Sequence, residues 1–266
     1  MTNNYRFIYF IISGLILINS AFSYRYKPKP GQKQKVSQKN SAEDGGIGFE
    51  KIAKSLGWET NESPNFLGDP SAVKGGMFTI LGGEEYPLTL RYLGKDSRSM
   101  ILGEIHYRQY EALLNFNYET LEYEPEIATH WKISEDSLTY YFRIDPRAKW
   151  HDGRDVIAED MVATFKLRTD PGHKDPNTVK YWNDLYEMPV AESKYIIKVT
   201  AKKKDWRSFD SAAQLTLMPS YYLNKIDGAG YLEKYNFSFM PGSGPYEYDA
   251  DASKKGSEGY VILKRS

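Results

Sequence analysis

The chain has 266 residues, of which 35 are Lys or Arg, 35 are Asp or Glu and none is Cys, with 41% hydrophobic and 15% aromatic side chains. Zero net charge argues against a nucleic-acid partner, because displacing counterions from phosphates needs a surplus of cations. The absence of cysteine excludes disulfides, Cys-ligated metals, a thiol nucleophile and a lipidated N-terminal Cys, and a mean hydropathy of −0.60 excludes a polytopic membrane protein.

In chain order, Arg6 precedes an apolar run over residues 7–18, and Asn19, Ser20, Ala21, Phe22 and Ser23 supply a small-x-small ending. Residues 1–23 therefore read as a cleavable secretory signal, the run being shorter than the ~20 apolar residues that span a bilayer. Export of a chain without cysteine predicts a periplasmic location. Residues 24–40 carry Arg25, Lys27, Lys29, Lys33, Lys35 and Lys39 and no acid, which predicts a disordered basic arm, either a solvated linker or an attraction to an anionic surface. Phe49, Ile52, Ala53 and Leu56 stand at i, i+3, i+4 and i+7, and Gly57 can close that short helix in the left-handed region. Residues 61–75, rich in Asn, Ser, Pro and Gly, complete a 24–71 stretch of arm, helix and linker, and the folded domain is expected over 72–266.

Within that domain Met77, Phe78, Thr79, Ile80 and Leu81 form an apolar run suited to a buried strand. Ser97 is placed to cap a helix running to about Leu114, with His106 beside its apolar stripe as a packed histidine. Leu138, Tyr140, Phe142 and Ile144 share one face of a strand that follows a turn at Ser134, Glu135, Asp136 and Ser137. Trp150, His151, Asp152 and Gly153 make a turn before a helix from Ala158. Further strand signals fall at residues 195–201, 215–218 and 260–263, so the body is mixed α/β with several antiparallel strands.

Catalytic patterns are missing from the sequence. It has no Gly-x-Ser-x-Gly elbow, no His-Glu-x-x-His helix and no phosphate-binding loop, and its histidines, at 106, 130, 151 and 173, lack metal-ligand spacing. No catalytic residue, metal or cofactor is expected, although a carboxylate pair of a secreted carbohydrate-active hydrolase would be invisible in sequence, since its separation is spatial.

An ordered set of segments does carry information. Tyr123-Glu124-Pro125-Glu126-Ile127-Ala128-Thr129-His130-Trp131 leads through Ser134-Glu135-Asp136 to Tyr141-Phe142-Arg143-Ile144, then to Trp150-His151-Asp152-Gly153, Ala158-Glu159-Asp160-Met161 and Gly242-Ser243-Gly244-Pro245-Tyr246. This order resembles the family 5 extracellular solute-binding proteins, the peptide and nickel receptors of bacterial ABC importers, with their Pro-x-Leu-Ala-x-x-Trp, Trp-x-Asp-Gly, Ala-x-Asp and Gly-Thr-Gly-Pro-Tyr patterns. Residues 75–80 resemble the family's first strand. Ser137 replaces the usual turn glycine, Asp145 stands where Arg is common, and Ile157 where a Thr often precedes the helix.

The resemblance implies an α/β, periplasmic-binding-protein-like fold of type II, a mixed sheet with an inserted subdomain, in which two lobes close on a solute without covalent chemistry. The chain stops near where such proteins cross to the second lobe, so 72–266 is expected to be a first lobe of a truncated or partial sequence. The implied function is a non-catalytic, monomeric binding component of an ABC transporter that captures peptides or another small solute and meets permease subunits in the inner membrane. A non-transport sensor or interaction protein on the same scaffold is the other alternative to the hydrolase. The resemblance places Glu84, Glu85 and Tyr86 after the first strand, and Gly242, Ser243, Gly244 and Tyr246 in the later turn, beside the ligand cleft.

Overall fold

The computed structural model describes residues 41–64, 71, 73, 75–80 and 86–266. The expected signal and basic arm lie outside these residues, as do Glu84 and Glu85.

Helix α1 (Phe49–Ala53) runs into a 3-10 turn (Lys54–Leu56) that Gly57 closes at φ 75°, as the apolar spacing predicts. It docks on the body through Arg143, a side chain only 2% exposed, whose Nε donates to Gly45 O at 2.7 Å and whose guanidinium pairs with Glu50 at 3.0 Å. Glu59 and Trp131 exchange backbone hydrogen bonds of 2.8 and 3.0 Å, extending the contact.

The expected buried strand over residues 77–81 is not found at 77–80, Leu81 lying outside the described residues. Met77 and Phe78 are 87% and 86% exposed, and the stretch 75–80 has no ladder partner among the described residues. An apolar run becomes a buried strand only where another strand satisfies its backbone.

Helix α2 (Met100–Gln109) is shorter than predicted at both ends. Ser99, not Ser97, caps it by accepting from Leu102 N, while Ser97 donates to Gly94 O. At the other end Tyr110 turns into the core and donates to Met240 O at 2.9 Å, a tether that ends the helix. His106 on this helix is buried, with Tyr92 and Phe239 rings 5.0 and 5.4 Å away, and burial lowers its pKa to about 4.

A hairpin that the sequence does not signal follows, β1 (Leu114–Asn117) with β2 (Glu122–Pro125). Its buried face carries Glu124, which accepts from Asn115 and Asn117 at 3.1 and 2.9 Å, so polar pairing takes the place of an apolar alternation. Next come β3 (Ala128–Ile133) and β4 (Thr139–Ile144), then helices α3 (Ala158–Arg168) and α4 (Pro176–Leu185), then β5 (Val190–Ala191) and β6 (Ile196–Thr200). The four strands form one antiparallel sheet in the order β3-β4-β6-β5. In its register Trp131 faces Phe142, which faces Ile197. Phe142, Ile144 and Ile197 are fully buried, as are Trp150, Met161 and Phe165 to within 2%, each apolar side chain contributing about 1.5–3 kcal/mol.

Short helices α5 (Ser208–Ala213), α6 (Ser220–Leu223) and α7 (Gly228–Lys234) precede a second hairpin, β7 (Tyr246–Lys254) with β8 (Tyr260–Arg265). Residues 215–218 are not a strand. Leu217 and Met218 are buried, and Thr164 substitutes for a ladder partner, its hydroxyl accepting from Met218 N at 2.9 Å and donating to Met218 O at 3.3 Å.

Asp160, with no exposed surface, joins three of these pieces. Its carboxylate accepts from Trp150 Nε1 at 3.1 Å, from Ile157 N at 2.9 Å and from Ser220 N at 2.7 Å. Ile157 offers no capping oxygen of its own, so Asp160 supplies the first-turn acceptor that a Thr would share. Burial raises the Asp160 pKa to about 6 against the pull of these donors. Asp160→Asn should cost about 2–3 kcal/mol in urea denaturation, because an amide NH2 replaces one acceptor oxygen and faces a buried donor.

Ser137 sits at φ 59°, the left-handed region that its turn requires. A Cβ is strained there and Gly is not. Ser137→Gly should therefore stabilise the chain by about 0.5–1 kcal/mol, read as a rise in melting temperature of about 1–4 °C.

Candidate functional site

The 242–246 turn is built against the C-terminal end of α2. Gly242 and Gly244 are both buried, and a Cβ on either would overlap the backbone carbonyl of Gln109 or Arg108, so only glycine allows this approach. Gly244 N donates to Gln109 O at 3.0 Å, and Gln109 Oε1 accepts from Tyr248 N at 2.9 Å. From the opposite side, His151 N donates to Gly242 O at 2.8 Å and His151 Nε2 donates to Gly244 O at 2.7 Å. The turn is thus clamped between α2 and the loop that precedes α3.

These bonds assign the glycine backbone an internal role. The carbonyls of Gly242 and Gly244 and the Gly244 N–H already have partners within the chain; the side chains of Ser243 and Tyr246 are half-buried, and the Ser243 hydroxyl is itself bonded to Glu111 N. Tyr86 is also half-buried and lies along the β7–β8 hairpin, its ring filling the space a Cβ at Gly259 would need and packing against the same apolar cluster as Tyr248 and Leu263. Tyr246, paired with Arg265, lies at the open end of that hairpin.

Two residues that sequence reasoning passed over stand beside Ser243. Its hydroxyl accepts from Glu111 N at 3.0 Å and hydrogen-bonds the Glu111 carboxyl, while Glu126 Oε2 accepts from Ala112 N at 3.1 Å. Burial pushes both carboxyls up to about 7, and the charge of Glu111 adds to the rise at Glu126. Glu126 lies in the quoted Glu-Pro-Glu-Ile segment and Glu111 just after Tyr110, but nothing in the spacing marks them as neighbours, because two loops bring them together.

A recess of about 470 Å³ opens elsewhere, between α3 and the α6–α7 segment, lined by Lys166, Asp170, Lys225 and Asp227 among others. No candidate ligand residue lines it. Its two acids already accept from backbone N–H groups, Asp170 from Gly172 and Gly228 at 2.7 Å each and Asp227 from Gly230 at 2.8 Å. Among the described residues no group of three or more His, Cys, Asp or Glu is placed to hold a metal ion, and no described helix is long and apolar enough to cross a membrane.

With this geometry in hand, the profile of the bacterial extracellular solute-binding proteins, family 5 Middle, matches residues 122–266, more than half the chain. The chain belongs to this family. The dipeptide-binding protein of Escherichia coli (strain K12) is 36% identical over 74 residues, 24% of this chain and 14% of that protein. The oligopeptide-binding protein SarA of Streptococcus gordonii is 30% identical over 165 residues, 57% of this chain and 23% of that protein. Among solved structures, the oligopeptide-binding protein AppA from Bacillus subtilis in complex with a nonapeptide superposes with a TM-score of 0.58 at 22% identity, over 70% of this chain and 35% of that one. The fold is therefore that of the type II periplasmic binding proteins, and the chain spans about a third or less of these relatives' length.

The Glu111–Glu126 pair sets a pH dependence. Both carboxyls have a folded pKa above the usual 4.5, so their protonated forms favour the fold. Their contribution is fully present below about pH 4.5 and is lost as pH rises to about 7. Glu111→Gln should flatten this decline between pH 5 and 8 in denaturation midpoints measured against pH.

Proposed function

We propose that this chain is the solute-capturing part of an ABC importer's periplasmic binding protein, that its solute is a peptide, and that it acts without covalent chemistry. The family match over residues 122–266 carries the reading. It is supported by relatives whose names specify dipeptides and oligopeptides. Ser243 and Tyr246 would meet the solute from a turn held rigidly by Gln109 and His151, with Tyr86, Glu84 and Glu85 contributing from the earlier loop. Rigid placement of few polar groups lowers the entropy lost on binding. The permease of the importer would then receive the loaded protein.

Capture is favoured over hydrolysis by the state of the acids. The two that influence each other, Glu111 and Glu126, are mostly buried and already bonded to Ser243 and Ala112 N, whereas a glycosidase needs two carboxyls facing across an open groove.

Calorimetric titration of the full chain with defined di- to nonapeptides tests the proposal. Saturable heat with at least one peptide class is expected, weakened by Tyr246→Ala. No heat with any peptide, alongside a cooperative unfolding transition showing the protein to be folded, would remove the peptide assignment.

A further inference from the structure

The loop at residues 202–207, Lys202-Lys203-Lys204-Asp205-Trp206-Arg207, follows β6 directly and projects from the body. Trp206 is 86% exposed, and Arg207 lies over its ring, 5.3 Å from the centroid. Lys202, Lys203 and Lys204 are all exposed. The one acid of the loop, Asp205, accepts from Arg207 N at 3.0 Å and sits 3.7 Å from the Arg207 guanidinium. Nearby Asp184 is already paired with Lys180 at 2.5 Å. Lys202 donates to Asn183 O at 2.8 Å, while Lys203 faces Asp184 and Asp205 and Lys204 faces Asp136 at more than ion-pair distance, leaving both ammonium groups exposed.

We propose that this loop is a docking site for an anionic phospholipid surface, with Trp206 seated at the headgroup level and Lys203 and Lys204 facing the lipid charge. An amphipathic indole is at its most favourable in the interfacial layer, and each lysine near an anionic leaflet strengthens binding about fivefold. A shaped protein partner would instead be met by an apolar patch surrounding the Trp, and here the ring's immediate neighbours in the chain are Asp205 and Arg207. A nucleic-acid partner would need a broad excess of cations that a chain with 35 basic and 35 acidic residues lacks.

Position in the fold fits this role. Ala201 N donates to Leu138 O at 2.8 Å and Thr200 pairs with Thr139, so the loop leaves the sheet beside the Ser134–Ser137 turn. The clamped 242–244 turn is held by His151, which follows the other end of β4. A surface contact at one end of the sheet leaves the turn at the other end accessible, whether or not the solute is a peptide.

The test is co-sedimentation of the full chain with phosphatidylcholine vesicles, with and without a one-third fraction of phosphatidylglycerol, at low and high salt. The basic arm is present in every protein compared, so point variants isolate the loop. Binding to the anionic vesicles is expected, falling about 25-fold for the Lys203→Ser/Lys204→Ser double variant, and Trp206→Ala should bind less and lose the lipid-induced blue shift in tryptophan emission. Variants that bind as wild type does, binding indifferent to phosphatidylglycerol, or a lysine dependence shown equally toward heparin with no blue shift on vesicles would each overturn the proposal. Unchanged melting temperatures would confirm that the exposed substitutions leave the fold intact.

Discussion

Placement of the candidate site depends on one buried carboxylate. Asp160 holds Trp150 and the start of α3 in register with Ser220 on α6. The residue after Trp150 is His151, whose backbone and ring nitrogens fix the carbonyls of Gly242 and Gly244. The glycine turn in turn presses on Gln109 at the end of α2. Hydrogen bonds at Asp160 and at His151, joined by the Trp150–His151 peptide, thus connect a helix start in the core to the turn proposed to meet solute. The bonds of Asp160 to Trp150 and Ser220 are buried, so neither can be given up without leaving an unsatisfied group.

Buried ionisable groups pull the fold's pH response in two directions. His106 is packed neutral among aromatic rings, with a pKa near 4, which penalises acid conditions. Glu111 and Glu126, with pKa values near 7, penalise alkaline ones. The two penalties arise on adjoining parts of the chain, the end of α2 and the loop that follows it. The support of the 242–246 turn therefore responds to pH from both sides.

What the sequence made legible was whatever a local rule controls. Alternation in residues 138–144, the Gly57 helix stop and the Trp150–Gly153 turn all follow from spacing and residue type. Partnership was not legible. Met77 and Phe78 look like strand residues but have no ladder partner among the described residues, and Leu217 and Met218 are buried while a Thr164 hydroxyl substitutes for a neighbouring strand. The β1–β2 hairpin was hidden because Glu124 is satisfied by two asparagines instead of alternating with apolar residues. For the site, the order of motifs identified the family and the glycine turn, but the approach of Glu111 and Glu126 to Ser243 exists only once separate loops fold against one another.

Arg143 carries a consequence for how the chain can be processed. Its guanidinium is almost wholly enclosed, and its partners at Gly45, Gly46, Glu50 and the face of Phe49 all come from a stretch of six residues ahead of the sheet, with only Thr129 from within it. A protease that cut away this stretch would remove most of the acceptors of the guanidinium and open it to solvent, so that the packing of Phe49 and these hydrogen bonds would be lost together. The segment before the sheet is therefore both counter-ion and lid for the Arg143 side chain.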